Sequence, residues 1–118
     1  MKPIYNNSGT TTAWVDGENI YNLNGAHLAV IDGGDVYNHN GEHLGILDNG
    51  LFRDHNGGVV AFLDGATGGP ILPITAIAPI PPIPPIPSIP PIPAIPSIPP
   101  IPAIPSLGWG KNWDQFIR

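Results

Sequence analysis

Cysteine is absent from this sequence of 118 residues, which excludes disulfides and thiolate metal ligands. Positive charge is scarce as well: Lys and Arg together number 4 against 9 acidic residues, and the net charge is -5. A surface that binds phosphate groups needs clustered Lys and Arg. We therefore expect no nucleic-acid partner.

A long internal stretch has no charge at all, because no Asp, Glu, Lys or Arg occurs between Asp64 and Lys111. A transmembrane segment is disfavoured there, since its prolines prevent a helix and lipid leaves non-helical carbonyls unsatisfied. Met1-Lys2-Pro3 leads into the first repeat without the apolar run of a signal peptide. We therefore expect a cytoplasmic protein with no transmembrane segment.

Repetition is what the sequence has in abundance. Its first 64 residues are four copies of a unit of sixteen residues. One apolar position opens each unit, and one Gly and one Asp recur at fixed positions. These are Ile4, Ile20, Val36 and Phe52; Gly9, Gly25, Gly41 and Gly57; and Asp16, Asp32, Asp48 and Asp64. A strict internal period indicates repeated supersecondary units.

Each unit is predicted to be one β-hairpin. In the second unit, a β-rich run beginning at Ile20 reaches Asn24-Gly25, and a second run ends at Asp32-Gly33. Asn-Gly suits a type I′ turn because both residues tolerate positive φ. Ser8-Gly9 is the degenerate first copy of this signal. A single hairpin is marginal in water, so the four are expected to share a core.

Alternation along the second strand predicts which side chains share a face. Leu28 and Val30 are expected on one face, and His27, Ala29 and Ile31 on the other. One position on the second face is small in every copy, which suggests close approach near a fourfold axis. Its residues are Ala13, Ala29, Gly45 and Ala61.

Four tandem hairpins of this length, with their Asn-Gly turns and Asp-Gly closings, resemble the 4-fold beta-flower family of small bacterial domains. The resemblance covers residues 1–65 and the tail at Gly108–Arg118. It implies shallow hairpins arranged radially around a pseudo-fourfold axis, and no particular activity. A looser similarity to tubby-type lipid-binding domains bears on function by analogy alone.

The predicted fold class is therefore all-β: four hairpins of sixteen residues around a pseudo-fourfold axis, a β-flower or shallow barrel, followed by a polyproline II arm and a short helix. The expected divisions are a repeat domain at 1–65, a low-complexity arm rich in Ile and Pro at 66–106, and an aromatic docking segment at 107–118.

The arm contains nine consecutive Ile-Pro-X triplets over Ile80–Ser106. Polyproline II has three residues per turn and no internal hydrogen bonds, so the isoleucines line one edge of a rod of roughly 80 Å. One interpretation is a semi-rigid spacer. The other is a ligand for an aromatic-lined groove, with Ile83, Ile92 and Ile101 as interaction residues.

The tail places Trp109, Trp113, Phe116 and Ile117 at the spacing of one helical stripe. So short a helix is marginal alone and must dock on the hairpins, on a partner protein or on a membrane surface. Trp109, Trp113 and Phe116 are therefore further candidate interaction residues.

The histidines occupy two repeat positions, His27 with His43 and His39 with His55, each in two of the four copies. They are interpreted as surface or cross-strand residues, because a zinc site needs three or four convergent ligands. The aspartates before glycine are interpreted as turn residues.

We expect no catalytic residue, no metal and no cofactor. The leading hypothesis is a non-enzymatic structural or protein-interaction module, whose partner has an aromatic groove. The alternative is binding of a lipid or small apolar ligand at the centre of the flower. A third, a metal-dependent hydrolase, would need His and Asp side chains to converge.

Overall fold

The computed structural model describes residues 2–69, residue 72 and residues 108–117. The polyproline arm predicted for 66–106 lies almost entirely outside these residues. Within the described ranges, no helix has the length and apolar character needed to cross a membrane.

Eight strands and one short helix make up the described fold. They are β1 (Lys2–Tyr5), β2 (Thr11–Asp16), β3 (Asn19–Tyr21), β4 (His27–Asp32), β5 (Asp35–Asn38), β6 (His43–Asp48), β7 (Leu51–Arg53), β8 (Val59–Phe62) and α1 (Trp113–Phe116).

The strands form a closed antiparallel barrel in chain order. Each unit contributes one hairpin, and the barrel closes where Tyr5 of β1 pairs with Phe62 of β8. Closure leaves no unpaired sheet edge, which four separate hairpins would expose. The prediction of an all-β fold built from four hairpins is confirmed.

The predicted turn type is wrong. Within each hairpin, the glycine of the Asn-Gly pair has positive φ, as at Gly25 with φ 86°, but among the described residues Asn49 alone is a non-glycine with positive φ. The hairpin turns are instead held by an asparagine at the end of the first strand: Asn22 Oδ1 accepts from the backbone N–H of Asn24 and Ala26, both at 2.9 Å. The pair of positive φ values typical of type I′ occurs between units, at Gly33-Gly34 and Asn49-Gly50.

The predicted division of faces is also wrong for two positions in each unit, those of Leu28 and His27. Ile20 pairs with Ala29 while the next residue, Tyr21, pairs with His27, so Leu28 is the extra residue of a β-bulge. Such a bulge interrupts the alternation of side chains. Leu28 therefore packs inward with Ala29 against the core, and His27 lies with Tyr21 on the outer face.

The core fills the inside of the barrel. Buried members from the strands are Ile4, Ala13, Val15, Ile20, Ala29, Ile31, Val36, Phe52, Val60 and Ala61. The small positions lie inside, as the repeat pattern predicts, because eight strands leave an interior just wide enough for side chains.

Helix α1 closes the end of the barrel that carries the hairpin turns. Trp113 and Phe116 are buried in the same core, and their rings lie 5.5 and 6.5 Å from that of Phe52. A Cβ on Gly45 would collide with the backbone carbonyl oxygen of Arg53 and come within 2.6 Å of Cε1 of Phe116. Glycine replaces alanine in the third unit because the backbone of the neighbouring strand and the helix both occupy that space.

Candidate functional site

Hydrogen-bonded polar side chains lie at the seams of the barrel, where the second strand of one hairpin meets the turn of the next. In the second seam, Nδ1 of His27 lies 2.7 Å from Nε2 of His39. The other ring nitrogen of His27 lies 2.9 Å from Oδ1 of Asn19. A chain of three side chains therefore links two hairpins.

The two imidazoles meet edge to edge. Their planes differ by 6° and their centroids lie 4.9 Å apart. Rings stacked face to face would keep their atoms about 3.5 Å apart, which is longer than the observed separation of 2.7 Å between nitrogens. The rings of His27 and His39 are consequently almost coplanar and joined by a hydrogen bond.

The direction of these hydrogen bonds follows from the amide oxygen of Asn19, which can only accept. His27 donates from Nε2 to the amide oxygen of Asn19, so a neutral ring offers Nδ1 as an acceptor to the Nε2–H of His39. Burial lowers the pKa of His27, and the neighbouring His39 lowers it further. The seam therefore favours a neutral imidazole at His27.

The third seam repeats this geometry with a carboxylate at its inner end. Nδ1 of His43 lies 3.0 Å from Nε2 of His55, and Nε2 of His43 lies 2.9 Å from Oδ1 of Asp35. Because an ionised carboxylate only accepts hydrogen bonds, His43 is the donor at Nε2. Tyr37 packs edge-on to His43, with ring centroids 5.4 Å apart.

The fourth seam is filled by the tail instead of histidines. Val59 occupies the repeat position of His27 and forms a parallel bridge with Trp109. The backbone N–H of Val59 donates to Gly108 at 3.1 Å, and that of Gly110 donates to Val59 at 2.8 Å. The tail thus runs between β8 and the turn of the first hairpin.

Two residues of the fourth hairpin depart from the repeat and bind chain segments that lie outside the barrel, one after β8 and one in the tail. Asp54 replaces asparagine; its Oδ1 caps the hairpin turn, while its Oδ2 accepts from the backbone N–H of Lys111 at 3.2 Å. Arg53 replaces tyrosine and donates to the carbonyls of Gly57 and Gly68 at 2.7 and 3.0 Å.

The six residues suggested as interaction sites therefore divide into two groups. Trp113 and Phe116 are buried in the core, and Trp109 packs on a separate outer cluster at 6.2 Å from Phe62. Trp109 does not belong to the helix as predicted, because Asn112 forms a capping box with Gln115 and begins the helix after it. Ile83, Ile92 and Ile101 lie outside the described residues, and an interaction role for all six stays a prediction.

Concave surfaces are small at the closed end and shallow at the open end. A cleft of about 120 Å³ lies between the tail and the first hairpin, with Asn7, Trp109 and Lys111 in its wall. At the opposite end, a depression of about 380 Å³ is lined by Lys2, Leu63 and four other residues, which are Val15, Asp16, Gly17 and Leu47. The half-buried leucines make this floor apolar.

In the part of the chain that the structure describes, no three His, Asp or Glu side chains converge closely enough to hold a metal ion. The facing nitrogens of each histidine pair are hydrogen-bonded to one another. The four aspartates that close the units are exposed at the reversals between hairpins.

One structural position escaped the sequence analysis. One residue at the end of the first strand of each hairpin, or directly after it, accepts two backbone hydrogen bonds from its own turn in all four units. These residues are Asn6, Asn22, Asn38 and Asp54. They recur every sixteen residues in the sequence. An Asn or Asp side chain commonly accepts a hydrogen bond from the backbone N–H two residues further along the chain, so this recurrence could have indicated the turn.

A family model described as "4-fold beta flower protein" matches residues 2–117 of the chain. The match includes the tail that fills the fourth seam and closes the barrel. Comparison with curated proteins and with solved structures found no match.

Proposed function

The chain belongs to the 4-fold beta flower family, and from that premise we propose that it is a non-enzymatic structural or protein-interaction module that works in the cytoplasm. A chain without cysteine suits that compartment, because small exported domains commonly rely on disulfides. The remaining support comes from how the polar side chains are used.

One observation carries the proposal: the repeated polar side chains are bonded to the barrel itself. Both ring nitrogens of His27, and both of His43, form hydrogen bonds to other side chains of the fold. Asp54, the buried carboxylate, accepts from three backbone amides. Groups that hold the scaffold together in this way are not free to activate a nucleophile or transfer a proton to a substrate.

The alternative function, binding of an apolar ligand on the fourfold axis, is favoured by one feature only. The depression at the open end has an apolar floor formed by Val15, Leu47 and Leu63. At the other end the axis is filled by Trp113 and Phe116. A ligand at the centre of the flower would therefore have to enter from the open end.

A titration with a fluorescent fatty acid, cis-parinaric acid, separates the two functions. We expect the full chain to give no saturable signal, since the depression is shallow and small-molecule sites enclose most of their ligand. Leu63→Arg places a charge in the depression. Leu23→Arg is the matched control, because Leu23 is 46% exposed on a hairpin turn at the other end.

Saturable binding in the micromolar range that Leu63→Arg abolishes and Leu23→Arg preserves would replace the proposal with ligand binding. Far-UV circular dichroism of both variants verifies that the barrel is intact. Equal, non-saturating signals from all three proteins support a scaffold whose contacts are made by its surface.

A further inference from the structure

The dipeptide Asn-Gly occurs four times in the sequence, and the four copies lie in two different kinds of turn. Asn24-Gly25, Asn40-Gly41 and Asn56-Gly57 lie at the tips of hairpins, whereas Asn49-Gly50 links β6 to β7 between two units. An asparagine before glycine is especially prone to lose its side-chain amide, because glycine has no Cβ to shield the backbone nitrogen that attacks the amide carbon. All four asparagines are exposed, so exposure does not distinguish them.

The three pairs at the hairpin tips keep the glycine nitrogen in a hydrogen bond. The N–H of Gly25 donates to the carbonyl of Asn22 at 3.0 Å, and Gly41 and Gly57 make the equivalent bond at 3.1 Å. The N–H of Asn24 donates to Oδ1 of Asn22 as well, so this turn is fixed at both residues of the dipeptide. The glycine nitrogen can attack only after its bond breaks, and a net bond of this kind is worth about a fivefold factor in an equilibrium constant.

The pair between the units has the opposite arrangement. Among the residues that the structure describes, none accepts a hydrogen bond from the N–H of Gly50. The carbonyl oxygen of the same peptide group, which belongs to Asn49, accepts from the N–H of Thr67 at 3.1 Å. The asparagine carbonyls at the hairpin tips accept no backbone hydrogen bond from any described residue. Only this one of the four peptide groups is therefore bound at oxygen and not at nitrogen within the described chain.

The donor at the Asn49 oxygen favours attack by the Gly50 nitrogen. The nitrogen must give up its proton to become a nucleophile, and the negative charge then spreads onto the oxygen of the peptide group. A backbone N–H aimed at an oxygen that gains charge stabilises that charge. Thr67, in the segment that follows β8, supplies this donor and is thus a positioning residue for the reaction.

We propose that Asn49 is a site of spontaneous modification, at which the chain converts asparagine into aspartate and isoaspartate faster than at its other three Asn-Gly pairs. The proposal goes beyond a role as an interaction module, because the reaction needs no partner protein. Its only co-reactant is water, which reaches this turn because Asn49 is exposed.

The reaction proceeds through a cyclic succinimide. The nitrogen of Gly50 releases its proton to the solvent and forms a bond to Cγ of Asn49. The Cγ–Nδ2 bond breaks, and Nδ2 takes up a proton and leaves as ammonia. Water then adds to one of the two carbonyl carbons of the ring: opening at Cγ gives aspartate, and opening at the backbone carbon gives isoaspartate. No oxidation or reduction takes place.

The products alter the open end of the barrel. A carboxylate in place of a neutral amide changes the net charge from -5 to -6 and places the new charge next to Asp48. Isoaspartate also lengthens the main chain by a methylene group, in a hairpin whose loop length fixes the strand register. The oxygen that accepts from Thr67 then belongs to a side branch, so the segment after β8 loses a backbone attachment.

The test follows all four Asn-Gly pairs of the full chain during incubation in mildly alkaline buffer. Chymotrypsin cleaves after the Leu, Tyr and Phe residues that lie between the pairs, so each pair is recovered in its own peptide. Mass spectrometry measures the replacement of NH₂ by OH, and electron-transfer fragmentation distinguishes isoaspartate from aspartate. Incubation in concentrated urea is the reference, because unfolding removes every turn.

In the folded chain, we expect Asn49 to lose ammonia at least about fivefold faster than Asn24, Asn40 or Asn56. In urea the four rates should converge. A rate at Asn49 no higher than the rates at the hairpin tips would overturn the proposal. An equal excess at Asn49 in urea would assign it to the local sequence and would likewise overturn it.

A pair of variants tests the donor separately. Thr67→Pro removes the backbone N–H, and Thr67→Ala is the matched control, because it keeps the N–H at an exposed position. The proline variant should slow the reaction at Asn49 in the folded chain and leave the other three rates unchanged, whereas the alanine variant should leave all four unchanged. Far-UV circular dichroism verifies the fold of both. An unchanged or raised rate at Asn49 in Thr67→Pro would refute the positioning role of Thr67.

Discussion

The contribution of the tail helix to the barrel can be measured with a single substitution, Phe116→Ala. Phe116 is 2% exposed, and its ring lies 5.6 Å from that of Trp113 and 6.5 Å from that of Phe52. The structure around a truncated core side chain relaxes only partially. The substitution leaves a cavity at the closed end of the barrel.

Truncation of a fully buried Phe to Ala costs about 3–5 kcal/mol, because the lost transfer free energy and the cavity add together. A domain of this size has a free energy of unfolding of about 5–15 kcal/mol. The substitution should therefore remove a large share of the stability. With a typical m-value, the midpoint of urea unfolding should fall by about 1 M or more.

Equilibrium unfolding in urea, followed by far-UV circular dichroism at 25 °C, provides the measurement. Asp114→Ala is the control, since Asp114 is an exposed residue of the same helix and should change stability by no more than about 0.5 kcal/mol. A loss below about 1 kcal/mol for Phe116→Ala, with an unchanged m-value, would mean that the helix does not close the barrel.

Two further predictions concern the turns and the seams. Asn38→Ala removes hydrogen bonds of 2.9 and 3.0 Å to the amides of Asn40 and Glu42 and should cost about 1–2 kcal/mol in urea unfolding, whereas Asn40→Ala should cost about 0.5 kcal/mol or less; equal losses would contradict the turn assignment. Because the folded-state pKa of His27 is lowered, the unfolded chain binds this proton first, and stability should fall as the pH drops below about 6.5. The double variant His27→Thr/His39→Leu introduces the residues that occupy these two repeat positions in the first seam, Thr11 and Leu23. It should flatten the dependence of the free energy of unfolding on pH between pH 7 and 5; an unchanged dependence would refute the role of the pair.

The repeat predicted the architecture because its information is local. Turn residues at fixed intervals force the chain to reverse, and β-rich runs between them pair with their neighbours, so four hairpins follow from the local sequence pattern alone. The same reasoning placed Ala13, Ala29 and Ala61 in the interior. These features do not depend on knowing which residues meet across the barrel.

Features that depend on contacts between hairpins were not predictable in the same way. The bulge at Leu28 shifts the strand by one residue, which moves His27 from the inner face to the outer face. No single unit contains the reason, because the partner of His27 is His39 in the next hairpin. Histidine occupies each of these two repeat positions in only two of the four units. The two positions thus appeared independent in the sequence although their side chains are in contact in the fold.

Departures from the repeat identify where the rest of the chain attaches. Perfect fourfold symmetry would offer the tail four equivalent places to bind, so a unique position requires the units to differ. Gly45 makes room for both the backbone carbonyl of Arg53 and the ring of Phe116, and Asp54 supplies the second carboxylate oxygen that accepts from the backbone N–H of Lys111. Arg53 binds the segment that leaves the barrel, and Val59 replaces a histidine where the tail runs. All four lie in the third and fourth units, so the same substitutions that break the symmetry also select the docking site.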